Sequence, residues 1–230
     1  MKKISICIPT WEFGGLGVEV LDFSFQKMRT QSFKDFEVCV SDNSDDNKTE
    51  ILCQHWSNIL DIHYLRNPVK GAATNSNKCI EMASTSLIKF LCADDFLYDD
   101  NSLLRIYEGF NDNVAWLFTE YVHTTDRINY YRHYIPSMNP NIALVNSLGT
   151  PSAMTIRNGL STEFLFDTNL KYYYDSEFYL RMANVFGPPK ILPVITMANY
   201  IWEESQTSKT TGEMMEKEVG YILRKYRLIK

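Results

Sequence analysis

The sequence predicts an α/β protein built from parallel βαβ units, with a sheet covered on both faces. Three observations carry that expectation. Short apolar runs alternate with longer amphipathic ones through residues 4–95. The apolar runs have strand length, and polar clusters at residues 10–17, 41–46 and 94–95 close them. Residues 4–8 form the first strand, ended by Pro9, and residues 16–29 have helical spacing. Residues 36–40 are the second strand, 49–56 a helix, and 62–65 a third strand that stops at Asn67-Pro68. Residues 72–83 are helical, and 87–92 form a fourth strand running into Asp94-Asp95. After Asn113 the alternation blurs. Residues 114–120 and 153–157 read as strands, 175–185 as an amphipathic helix, and 191–202 as an extended apolar stretch. Residues 124–140, rich in Tyr, Asn and His, show no clear period; 203–211 read as a polar loop and 213–230 as a final helix.

A chain of 230 residues is long enough to bury its own core without disulfides or a structural metal. Its composition, 45% hydrophobic and 22% charged, excludes a disordered or collagen-like chain. The net charge of −5 argues against general nucleic-acid binding, which needs a basic surface. The cysteines (Cys7, Cys39, Cys53, Cys79, Cys92) form no CxxC pair and mostly sit in apolar runs, so they read as buried thiols of a reducing compartment. No signal-peptide core and no membrane-length apolar run appears, and the expected location is cytoplasmic.

Open α/β sheets bind ligands outside the carboxyl ends of their strands, where the polar clusters fall. Asp94-Asp95 follows a buried strand, and two adjacent carboxylates there suit Mg²⁺ or Mn²⁺ shared with a phosphate; the alternative is a turn leading into a helix at Asp99 to Ser102. Asp42 either accepts hydrogen bonds from a ribose or base, or closes a turn with Asn43 and Ser44. Gly15 and Gly17 lack a third glycine, since Val20 stands there; they suit a loop and a helix N-terminus facing phosphate. Asp175 is a helix N-cap or first-turn acid stabilised by the helix dipole, or a general base. Tyr130, Tyr131, Tyr134 and Tyr172 to Tyr174 either stack on sugar or fill the core. The histidines show no i, i+4 pairing, which leaves His-based metal or triad chemistry without support.

Five of these elements, in order, resemble a family 2 glycosyltransferase of the GT-A fold. They are the opening strand into Pro9-Thr10, the segment Val40-Ser41-Asp42-Asn43-Ser44, the stretch from Gly71 through Asn77 to Ala83, the run Phe90 to Asp95, and Tyr174-Asp175 followed by Arg181. The resemblance implies a Rossmann-like, mostly parallel central sheet flanked by helices, with a smaller mixed sheet on the acceptor side and a C-terminal helix. It implies a glycosyltransferase domain over 1–212, with a nucleotide-sugar half at 1–112 and an acceptor half at 113–212, and then an amphipathic helix at 213–230. The implied activity is inverting sugar transfer from a nucleotide-diphosphate donor to an acceptor hydroxyl, in surface polysaccharide assembly. Pro9, Thr10, Glu12, Asp42, Asn43, Gly71, Asn77 and Asp94 would hold the donor, and Asp95 with Asp94 the Mn²⁺ or Mg²⁺. Asp175 would be the base, and Glu177, Arg181, Trp202, Gln206 and Ser208 would serve the acceptor side and a closing loop. Three positions depart from the family pattern: Cys92 replaces an acid, Ser76 an arginine, and the 202–208 segment lacks a histidine.

The final helix carries an apolar stripe (Met215, Val219, Ile222, Tyr226, Ile229) beside Arg224, Lys225, Arg227 and Lys230. It would dock on the domain, pair with a second chain, or lie on an anionic membrane beside a lipid-linked acceptor. Two other classes remain open. A sugar nucleotidyltransferase would want a basic glycine-rich loop, which Glu12 to Gly15 is not. A non-catalytic nucleotide- or glycan-binding module would bind donor without turning it over.

Overall fold

A computed structural model describes residues 2–160, 164–202 and 211–227. Strand β1 (Ile4–Thr10) lies between β2 (Phe36–Asp42) and β4 (Leu87–Phe90), and β3 (Ile62–Arg66) flanks β2; all three pairings are parallel. Helices α1 (Gly17–Arg29), α2 (Lys48–Trp56) and α3 (Ala72–Met82) make the crossovers. Strands β1, β2 and β4 are buried almost throughout, which is why they read as mostly apolar runs, with Ser5, Glu37 and Lys89 as buried exceptions, rather than as alternating ones. The pleat sends Ile4, Ile6, Ile8, Val38 and Val40 to one face, against Leu21, Phe25 and Met28 of α1. It sends Cys7 and Cys39 to the other, against Ala73 and Cys79 of α3. Cys7, Cys39, Cys53 and Cys79 are free and buried, and only Cys92 is partly open.

Beyond β4 the sheet becomes mixed. Strand β8 (Met154–Arg157) pairs antiparallel with β4 and with β6 (Trp116–Thr124). Strand β6 runs parallel to β9 (Lys190–Tyr200), which carries the two-residue β5 (Phe96–Leu97), while β7 (Tyr130–Tyr134) pairs with β6. The order is therefore β3-β2-β1-β4-β8-β6-β9-β5 in one nine-stranded sheet. The expected acceptor-side sheet is not separate: β8 fills the free edge of β4 and joins the two parts. Strand β1 also passes through Pro9, since a fixed φ near −65° is tolerated at a strand end, and its register with β2 runs on to Thr10 and Asp42. Strand β7 lies in the segment that shows no period, and β5 and α4 (Ser102–Glu108) follow the acidic turn.

Helix α5 (Tyr174–Phe186) lies over the mixed part, and α6 (Gly212–Lys225) packs beside it. Ile222 is fully buried with Ala143, Leu170 and Tyr173, and Met215, Val219 and Tyr226 pack around that cluster. The apolar stripe of α6 therefore faces the domain rather than a membrane; Ile229 and Lys230 lie outside the described residues. Among the described residues, no helix is long and apolar enough to cross a membrane.

Candidate active site

A cleft of about 1010 Å³ opens at the carboxyl ends of β1, β2 and β4. Pro9, Thr10, Glu12, Asn43, Gly71, Asp94, Asp95 and Asp175 all line it, so eight of the predicted residues come together in one place. Gln206 and Ser208 lie outside the described residues.

On the donor side, side chains tie the strand-end loops to one another. The Asn75 amide donates to the carbonyls of Thr10 (3.0 Å) and Ser41 (2.9 Å). Asn43 donates to the carbonyls of Asn67 (2.8 Å) and Val69 (3.0 Å), and its oxygen accepts the Gly71 N–H at 3.1 Å. Gly71 has φ +135°, open to glycine and strained for other residues, and this sets the entry into α3. The Glu12 carboxylate accepts the Asp45 N–H, and Lys70 reaches the Asn43 carbonyl and Asp45 Oδ1.

Several expectations change here. Asp42 is wholly buried and does not line the cleft. Its Oδ1 accepts the Ser44 N–H (2.8 Å), its Oδ2 accepts the Tyr64 hydroxyl (2.8 Å), and Arg66 Nε lies 3.5 Å away. The turn alternative is the observed one: an aspartate bonding the amide two residues on. Asn77 also faces away, donating to Phe166 O (2.9 Å) and accepting from Phe166 N (2.7 Å). Asn77→Leu should therefore cost about 2–4 kcal/mol, because both Phe166 backbone groups lose their partner. Nucleotide affinity should stay unchanged; urea denaturation beside nucleotide calorimetry checks both, and weakened binding at unchanged stability would refute this placement. The glycine loop does not face the cleft either. Gly15 and Gly17 donate to the Glu12 carbonyl, and a Cβ on Gly17 would stand 2.4 Å from the Trp11 carbonyl oxygen. Those glycines serve a tight turn.

The acidic pair sits where β4 ends. Asp95 Oδ1 accepts from Asn199 Nδ2 (2.7 Å) and from the Tyr200 N–H (3.1 Å), both from β9. Its other oxygen, Oδ2, is buried with no partner, as is Thr10 Oγ1. Asp94 accepts from Trp202 Nε1 at 3.1 Å, and the Trp202 ring packs 5.8 Å from that of Phe13. One ligand atom each from Cys92, Asp94 and Asp95 lie within 4.8 Å of one another. Burial pushes both carboxyls above the usual range, and Asp94 adds its repulsion to Asp95. Two crowded carboxylates and an orphaned oxygen fit a divalent cation, which would supply the missing partner and offset the repulsion. Behind them Lys89 is fully buried, donates to the Ser152 carbonyl, and is held down to about 7 by burial.

Asp175 lies across the cleft in the first turn of α5, whose cap is Tyr173 without a side-chain bond. Asp175 is therefore a first-turn acid rather than the cap itself, and its carboxylate is held at both oxygens: Oδ1 by Ser176 N (2.6 Å) and Oδ2 by Asn146 Nδ2 (3.0 Å). Asn146 is itself fixed by two hydrogen bonds to Gly149. Burial raises the Asp175 carboxyl to about 6. Tyr172, Tyr173 and Tyr174 line the cleft beside it, whereas Tyr130, Tyr131 and Tyr134 of β7 do not. Glu177 and Arg181 are a further correction. Glu177 is fully buried and accepts from Arg181 Nε (2.9 Å), Lys225 Nζ (2.7 Å) and the Tyr226 hydroxyl (2.6 Å), so the pair fastens α5 to α6.

Sequence reasoning missed Asn75, Lys70, Asn146 and Asn199. Asn199 had a signal: it is the one amide side chain in β9, near the end of a mostly apolar run. Asn146 lies between the segments that the sequence assigns, 124–140 and 153–157, and had none.

The family model for glycosyl transferase family 2 matches residues 5–167. A Campylobacter jejuni GalNAc(5)-diNAcBac-PP-undecaprenol beta-1,3-glucosyltransferase is 29% identical over 121 residues, which is 51% of this chain and 38% of that protein. An uncharacterised Mycobacterium tuberculosis protein is 26% identical over 200 residues, 78% of this chain and 61% of the other. The chain thus spans less than two thirds of the length of either relative. Among solved structures, S. aureus TarS 1–349 in complex with UDP-GlcNAc superposes with a TM-score of 0.74 at 18% identity, covering 96% of this chain and 66% of that one. The mannosyltransferase PcManGT from Pyrobaculum calidifontis, in complex with GDP-Man and Mn²⁺, gives 0.65 at 14% identity, covering 87% and 57%. With that family model matched over more than two thirds of this chain, the chain belongs to glycosyl transferase family 2.

Proposed function

We propose that this protein transfers a sugar from a nucleotide-diphosphate donor to a saccharide hydroxyl, with inversion at the anomeric carbon and with a divalent cation at Asp94 and Asp95. One observation carries the reading: a crowded acidic pair with an orphaned oxygen and a carboxylate of raised pKa line the same cleft. The nucleotide would lie along Pro9, Thr10, Glu12, Asn43 and Gly71, where loop ends leave backbone and amide groups for it. When bound, the cation supplies positive charge beside the leaving diphosphate. Asp175 takes the proton of the acceptor hydroxyl as that oxygen attacks the anomeric carbon from the face opposite the diphosphate, and the bond to the diphosphate breaks. Asn146 and Ser176 fix the direction of the base, and Tyr172 to Tyr174 exclude water around it. The C. jejuni relative, whose name specifies an undecaprenol-linked saccharide, supports a lipid-linked acceptor and a role in surface glycan assembly.

Calorimetric titration of UDP, GDP, dTDP and CDP, with and without Mn²⁺, tests the donor half. One nucleotide should bind in a cation-dependent way, and Asp95→Ala should lose that dependence. Failure of all four to bind under either condition would refute the reading and favour a glycan-binding module.

A further inference from the structure

Among the cysteines, four are sealed in the core; Cys92 alone is partly open and lines the cleft. Its place is fixed, because its N–H donates to Ser152 Oγ at 2.8 Å. Its sulfur and one oxygen each from Asp94 and Asp95 stand within 4.8 Å of one another, a spacing that a single ion can bridge. Independently, Asp95 is 1% exposed and leaves Oδ2 with no partner. A carboxylate oxygen in that position calls for a donor or a cation, and the third ligand atom grouped with the acidic pair is a sulfur rather than a third oxygen.

We propose that Cys92 Sγ is the third protein ligand of the cation, so that the site presents one sulfur and two carboxylates. The proposal rests on the acidic pair holding a cation and adds which cation it takes. Sulfur is a soft donor and Mg²⁺ a hard acceptor, so the set shifts preference away from Mg²⁺ toward Mn²⁺, Co²⁺, Zn²⁺ and Cd²⁺. The same sulfur makes the site legible by spectroscopy, since a thiolate bound to Co²⁺ gives a near-ultraviolet charge-transfer band that oxygen ligands do not.

The experiment titrates Co²⁺ and Mg²⁺ separately into the full chain, by calorimetry and absorbance, alone and with UDP or GDP present. Wild type is compared with Cys92→Ser, Cys92→Asp and Asp95→Ala, with circular dichroism confirming that each is folded. Wild type should show the sulfur-to-cobalt band; Cys92→Ser should lose it and bind Co²⁺ about tenfold or more weakly. Cys92→Asp should also lose the band and gain affinity for Mg²⁺. If wild type binds Co²⁺ without the band, and Cys92→Ser binds it equally well while Asp95→Ala does not, the cation site stands and Cys92 is not its ligand. If Asp95→Ala leaves Co²⁺ binding unchanged, the acidic pair is not the site, and both the proposal and the reading beneath it fall.

Discussion

Asp175→Asn should lower sugar transfer about 10²–10⁴-fold, the usual contribution of a positioned general base. The same substitution should change stability in a way that depends on pH. Burial raises the Asp175 carboxyl from the ordinary 3.8 to about 6 in the folded protein. Below pH 4 the group is protonated in both folded and unfolded chains and burial carries no electrostatic penalty. Between pH 4 and 6 the unfolded chain gives up the proton first, so this group's contribution to stability declines as pH rises, and the full penalty stands above pH 6. A shift of about two pKa units sets a ceiling of about 3 kcal/mol, and partial exposure of the carboxyl lowers the expectation to about 1–2 kcal/mol. Asparagine has no charge to desolvate. The stability difference between variant and wild type should therefore move in the variant's favour across pH 4 to 7, as read by urea denaturation at several pH values. Wild-type kcat/KM should fall below pH 6, where the base is protonated. A variant that keeps full turnover would remove Asp175 from the base role; a stability gap that does not vary with pH would mean that the Asp175 pKa is not raised in the folded protein.

The parts of this protein legible in its sequence are those decided by neighbours in the chain. Strands β1, β2 and β4 are mostly apolar and buried almost throughout, and Asp94-Asp95 follow the last of them within a few residues, so the acidic pair could be placed at the strand ends from residues 87–95 alone. Asp175 could be placed at the start of an amphipathic helix from its own neighbours, while the role proposed for it rests on the family resemblance. What the sequence concealed depends on distant partners. Asp42 reads as a binding residue until Tyr64 and Arg66, brought alongside by β3, close over it. Glu177 and Arg181 read as acceptor-side charges until α6 delivers Lys225 and Tyr226 to Glu177. The single sheet was hidden too, since pairing β8 with β4 joins segments more than sixty residues apart, and no local period records it.

Glu218→Ala should destabilise the protein strongly, and its effect should reach the base without reaching the nucleotide. The Glu218 carboxylate, 7% exposed, accepts the backbone N–H groups of Lys171 (2.8 Å), Tyr172 (3.0 Å) and Tyr173 (2.9 Å). Hydrogen bonds to a charged group contribute about 1.5–3 kcal/mol each; three sharing one carboxylate, with some amides regaining water in the variant, suggest a loss of about 3–5 kcal/mol. For a chain of this size each kcal/mol lowers Tm by about 2–4 °C, so the shift should be plain in a thermal melt. Glu218→Gln keeps one acceptor oxygen and should fall between wild type and Ala. Tyr173 caps α5 and Asp175 lies two residues further on, so freeing these amides loosens the turn that aims the base. The donor side is tied together separately, by Asn75 and Asn43 at the ends of β1 and β2. Transfer should therefore drop while nucleotide and cation affinities, measured on the folded variant at low temperature, hold. If nucleotide affinity falls in step with turnover, the two sides of the cleft are one cooperative unit, and α6 supports the whole domain rather than the wall that carries Asp175.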